Sequence, residues 1–159
     1  MNKTLCAAAL VAGMAGFAGE AAACPDWTLS GDSYRASGDD LYQRRAFPVV
    51  AGGSNTISGC RIRPQSDTGD GWVATRPDFT FDLSRMDRYR LVVSAYSKCD
   101  TVLLINTGQA NWYFDDDDGG DLDPQITLTR PSNGWLDVWV GTYDPQTCDA
   151  TLTLETFDR

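Results

Sequence analysis

The chain has no histidine at all, and after residue 23 it holds a single lysine, Lys98, and a single glutamate, Glu155. Each absence excludes chemistry. Without histidine there is no imidazole to serve as a general base near neutral pH or to bind a transition metal. Ser94, Ser97 and Ser132 therefore lack an activating partner, no GxSxG turn is present, and a Cys–His pair is ruled out. A basic surface is also missing. The 159 residues carry 13 Lys and Arg against 22 Asp and Glu, a net charge of −9, which argues against nucleic acid and anionic membranes as partners. Beyond the N-terminus no apolar run approaches the length needed to span a bilayer.

The N-terminus reads as an export signal. Lys3 supplies the positive start, Leu5 to Phe17 the short apolar stretch, and Ala21–Ala22–Ala23 the small residues before a cleavage point. The expected mature protein is residues 24–159, one domain, in the periplasm or outside the cell. A lipid anchor on Cys24 is not expected. Ala21 stands where a lipobox needs a large aliphatic residue, and lipidation would strand one thiol. Removing Cys6 with the signal leaves Cys24, Cys60, Cys99 and Cys148, an even set that suits two disulfides in an oxidising compartment. Cys99 precedes the run DTVLLI and Cys148 precedes DATLTL, both at strand starts. A Cys99–Cys148 bridge follows if the two strands enter from one end, leaving Cys24–Cys60 for the N-terminal segment.

Short segments alternate apolar and polar residues between Gly, Pro, Asp and Asn clusters. Strands are expected at 90–96, 101–108, 125–129, 135–143 and 150–157, with earlier ones at 26–30, 47–52, 55–59, 72–76 and 79–84. Residues 39–46 suit one helical turn. The fold class is all-β: an antiparallel two-sheet β-sandwich, jelly-roll-like, stapled by two disulfides.

The order of motifs in the second half carries a resemblance. PDFTFDLS opens it, then RYRLVVSAY, CDTVLLINTG, the acidic FDDDDGGDLDPQITLT, NGWLDVWVGTYD and CDATLTLE. With its G-x-x-x-V-x-V-G-x-Y cadence from Gly134 to Tyr143, this resembles the bacterial pre-peptidase C-terminal domain over about residues 78–156. The resemblance implies a β-sandwich that accompanies secreted peptidases, a non-catalytic accessory or binding role, and calcium-stabilised folding. Residues 24–77 lie outside it and are expected to extend the same sandwich.

Two stretches carry candidate sites. The first is FDDDDGGDLDP, residues 114–124. Calcium takes six to eight oxygen ligands. If the chain is extended here, Asp116 and Asp118 share one side, joined by Asp121 or Asp123 after Gly119–Gly120, while Asp115 and Asp117 face solvent. The EF-hand spacing does not fit, because placing its glycine on Gly119 puts Phe114 at the first ligand position. The other reading is a solvated turn whose aspartates cap backbone amides. The second stretch is residues 135–143. With Leu136, Val138 and Val140 facing the core, Trp135, Asp137 and Trp139 face away, with Tyr143 beyond. These four could stack on a sugar or a protein side chain, or Trp139 and Trp112 could lie under the N-terminal segment.

The resulting functional expectation is a secreted accessory module binding a protein or polysaccharide, with calcium as a candidate cofactor. The alternatives are a carbohydrate-binding module using the exposed aromatics and a small hydrolase working through carboxylates. Arg85, Arg88 and Arg90, with Arg61 and Arg63, are expected to pair with surface aspartates.

Overall fold

The computed structural model describes residues 24–159, so the expected signal segment 1–23 lies outside the described residues. Eleven strands follow one another: β1 (Asp32–Ser37), β2 (Arg45–Ala51), β3 (Asn55–Thr56), β4 (Trp72–Val73), β5 (Phe79–Ser84), β6 (Tyr89–Ser97), β7 (Thr101–Thr107), β8 (Trp112–Asp115), β9 (Gln125–Leu128), β10 (Gly134–Thr142) and β11 (Cys148–Asp158). One 3-10 turn, Asp40–Tyr42, falls where a helical turn was expected. Among the described residues no helix is long and apolar enough to cross a membrane.

The strands form two facing sheets. The first runs β8-β7-β10-β5-β1, and the short β4 and β3 continue it where β10 passes beyond β5. The second runs β2-β11-β6-β9. The chain crosses between sheets at β1 to β2, β2 to β3, β5 to β6, β6 to β7, β8 to β9, β9 to β10 and β10 to β11. Pairing is antiparallel throughout except between β1 and β5, which are parallel. β1 was not among the expected strands, because Asp-Ser-Tyr-Arg-Ala-Ser presents few apolar residues and most of it is exposed at a sheet edge. The expected strand at 26–30 is instead a turn leading into β1.

Alternation sets the main core. Leu91, Val93 and Ala95 of β6, with Leu152 and Leu154 of β11, meet Phe81, Leu103, Ile105, Leu136 and Val138 of the first sheet. Phe47, Phe79, Phe81 and Tyr34 close one edge with ring centroids 4.8–6.2 Å apart. A second, smaller core lies on the outer face of the first sheet. There Val102, Leu104, Phe114 and Trp139 are covered by Ile57, Ile62 and Val73. This is why β7 reads as a nearly continuous apolar run, the pattern of a strand buried on both faces. The cover approaches closely. A Cβ on Gly69 would stand 2.3 Å from the Phe114 ring, so this position requires glycine.

Both expected disulfides are present. Cys24–Cys60 ties the N-terminal segment, and Cys99–Cys148 joins the approach to β7 in one sheet to the start of β11 in the other. Arg85 and Arg88 both reach Asp39, at 3.2 and 3.8 Å, and Arg90 lies over the Phe157 ring.

Candidate functional site

The outer face of the first sheet carries a polar row in register across four strands. Ser33 of β1 stands opposite Thr80 of β5, Thr80 opposite Asp137 of β10, and Asp137 opposite Asn106 of β7. Side chains directly across a sheet lie within contact range. The Thr80 hydroxyl donates to Asp137 Oδ1 at 2.6 Å and accepts the Gly31 amide at 3.0 Å. Asp137 Oδ2 has no hydrogen-bond partner among the described residues. Asp137 is only 6% exposed, and burial holds its carboxyl above the usual carboxylate range, partly offset by the Thr80 hydroxyl.

A groove of about 420 Å³ lies over this row. Trp135, two residues before Asp137 and so on the same face, forms part of its wall and is 57% exposed. The turn 26–30 also lines the groove. Asp26 builds that turn: its Oδ1 accepts both the amide and the hydroxyl of Thr28, which holds the Asp26 carboxyl below its usual range. The Asp26 amide donates to Thr75 O at 2.8 Å, and the Cys24–Cys60 bridge fixes the start of the segment. The turn thereby presents Trp27, 53% exposed, and Leu29 to the groove. Trp27 was missed in the sequence because residues 26–30 read as a strand. The Asp-x-Thr spacing of an Asx turn was the available signal.

The aromatic candidates separate. Trp139 is a correction: it is fully buried, its indole 5.3 Å from that of Trp112 and its Nε1 donating to Thr75 O at 3.4 Å, so no ligand can reach it. The N-terminal segment covers it because β10 is buried on both faces at that point. Asp137 faces the same side of the sheet as Trp135 and forms the floor of the groove, largely buried. Tyr143 is exposed but lies past the far end of β10, roughly 26 Å along the strand from Trp135. Trp135 and Tyr143 cannot share one small ligand.

The acidic stretch also rearranges. Asp115 was expected to face solvent. It is instead the last residue of β8, points between the sheets and is 3% exposed. Its Oδ2 accepts the Asp118 amide at 3.0 Å and the Gln125 amide at 2.7 Å, so it links the edge of one sheet to the first residue of β9 in the other. The extended chain ends at Asp115, which removes the alternation assumed for the following aspartates. Asp116 is half-buried, and Asp117, Asp118 and Asp121 are exposed. Asp121 and Leu122 both have positive φ, +55° and +66°, between Gly120 and Asp123 in a tight hairpin. Asp123 Oδ1 accepts the Ser97 amide at 3.1 Å. Among the described residues no group of three or more His, Cys, Asp or Glu is placed to hold a metal ion.

Two buried carboxyls fix the acid–base behaviour of the fold. Burial pushes Asp115 up to about 6 against the lowering effect of its two amide donors. Burial likewise pushes Asp78 up to about 7, with Asp32 nearby adding to the rise and the Val140 amide, 2.8 Å from Oδ2, opposing it. That amide lies where β10 leaves β5 and has not yet met β4. Both groups bind protons more readily folded than unfolded. Their contribution is complete below the ordinary value of 3.8 and is lost as pH rises through about 6 and about 7. The melting temperature is therefore expected to fall between about pH 4 and about pH 7, and Asp78→Asn should flatten the upper part of that fall. A wild-type profile that rises or stays level over this range would contradict the assignment.

No family model and no curated protein matches the chain. Among solved structures it is similar to PliG of Aeromonas hydrophila, a periplasmic lysozyme inhibitor of g-type lysozyme, at 11% identity over 80% of this chain and 98% of that one, with a TM-score of 0.47. It is similar to PliG of Salmonella Typhimurium at 11% identity, over 80% and 100% of the chains, with a TM-score of 0.43. It is also similar to the pre-peptidase C-terminal domain of a collagenase from Bacillus anthracis at 11% identity, over 80% and 96%, with a TM-score of 0.40. These likenesses assign no family.

Proposed function

We propose that this chain is a secreted, non-catalytic binding module that takes a protein partner through the groove between Trp27 and Trp135. The observation that carries this reading is the pair of exposed tryptophans set over a buried carboxylate with an unpartnered oxygen. Exposed tryptophan is unusual outside interfaces, where it supplies large contact area at small entropic cost. Two disulfides and the signal-like N-terminus support export. Among the described residues Asp137 is the only charged one lining the groove, whereas glycoside hydrolysis needs two facing carboxyl groups.

A photo-reactive amino acid at Leu29, on the rim, tests the reading in the producing cell, with the same group at Tyr143 as the control. Protein adducts at Leu29 and none at Tyr143 are expected. A polysaccharide adduct at Leu29 would favour the carbohydrate alternative, and equal behaviour at both positions would remove the groove as the site. Calcium stabilisation of the acidic hairpin is a separate proposal that rests on melting curves alone. A rise with millimolar calcium, reversed by chelator, supports it, and superimposable curves remove it.

A further inference from the structure

We propose that the groove accepts an arginine side chain of a basic partner protein, the guanidinium lying against the tryptophan rings and donating to Asp137 Oδ2. This rests on the groove being the binding site. The argument begins with charge. Asp137 is largely buried, but its Oδ2 opens into the groove: among the described residues the enclosed polar atom without a partner is Thr101 Oγ1. A carboxylate in so confined a place gains from a counter-ion or further donors. Here the Thr80 hydroxyl supplies one bond, and none of the ion pairs among the described residues involves Asp137. Every other residue lining the groove is neutral. The site therefore has one unmatched negative charge at its floor.

The walls specify the shape of the cation. Trp27 and Trp135 offer exposed indole faces, and Leu29 offers an apolar side chain. A planar guanidinium stacks on indole and presents several N–H donors in one plane, while its methylene stem packs on apolar groups. A neutral sugar could stack on the same rings and donate hydroxyls, but it would leave the buried charge uncompensated. At long range, a chain of net charge −9 attracts basic partners.

The test is a titration followed by the indole N–H resonances in a ¹⁵N correlation spectrum. N-acetyl-arginine N′-methylamide is the probe, with its neutral citrulline counterpart and a neutral oligosaccharide as comparisons. Arginine is expected to move the Trp27 and Trp135 resonances and to leave Trp112 and Trp139 in place. Citrulline should bind roughly tenfold or more weakly, the size expected for losing a charge-assisted contact. Asp137→Asn should show a loss of the same order and melt no lower than the wild type, because it removes a buried charge. A purely structural aspartate would instead melt lower on substitution and would not distinguish the two ligands. The citrulline comparison uses the unaltered protein, so it decides the matter even if the variant fails to fold. Equal affinity for arginine and citrulline, or shifts with the oligosaccharide alone, overturns the inference. If arginine is silent while Leu29 still forms protein adducts, only the arginine assignment falls. If both experiments fail, the binding reading falls with it.

Discussion

Trp139→Ala is expected to destabilise the protein by about 3–5 kcal/mol, the usual cost of truncating a buried tryptophan. Trp139 is fully buried and holds the second core together: it packs against Trp112, stands beside Leu104 in register, and is roofed by Ile57 and Val73. The surrounding chain closes only partly around the space left, since the sheet beneath is fixed by its ladder. Small domains have about 5–15 kcal/mol in total, so this is a large share. Loss should be greatest in residues 53–73, whose apolar contacts with the sheet run through this cluster. Hydrogen exchange would show those amides opening before the amides of β6 and β11. Trp135→Ala provides the contrast. Its ring is more than half exposed, and the substitution should change stability by no more than about 0.5 kcal/mol. Denaturant melts of the two variants check both values. Equal, small changes would mean that the 53–73 segment is not packed on the sheet, and Trp139 would return as a candidate ligand contact.

Replacing Cys99 and Cys148 together by serine is expected to cost about 4 kcal/mol, less any strain relieved in the folded state. The two residues are 49 apart in sequence, so the bridge restricts a long loop in the unfolded chain. It also spans the two sheets at the end where the acidic hairpin docks on Ser97 through Asp123. The paired substitution leaves no free thiol. Guanidinium melts of this variant against the oxidised wild type give the difference directly, and a change under about 1 kcal/mol would show that the bridge contributes little. Losing Cys24–Cys60 should have a different signature. That bridge anchors the segment that presents Trp27 and Leu29, so the groove rim should loosen and probe binding weaken even where the sandwich stays folded.

The sequence by itself determined the class of fold and most strand positions, and it pointed to both disulfides on the condition that two strand starts share an end. The physical reason is that these features are local or nearly so. Alternation in 90–96 and 150–157 records one face on the core and one outside, and cysteines at two strand starts can meet only when those starts share an end. The unbroken run in β7 also announced that both of its faces are covered. What covers them was decided by tertiary structure, because residues 53–73 have weak local patterns and take their place by pairing β4 with β10 and by packing on Trp139 and Leu104. The same holds for β1, a polar edge strand that exists through its pairing with β5. The acidic stretch shows the limit most clearly. Composition shows that charges crowd there, but whether an aspartate faces water or the space between two sheets depends on where β8 stops, and Asp115 is inside because Gln125 of the other sheet donates to it. Trp27, Trp135 and Asp137 are more than a hundred residues apart at their extremes. They form one groove only because β5, β7 and β10 lie side by side and a disulfide holds the N-terminal turn against them, a proximity that no local pattern can encode.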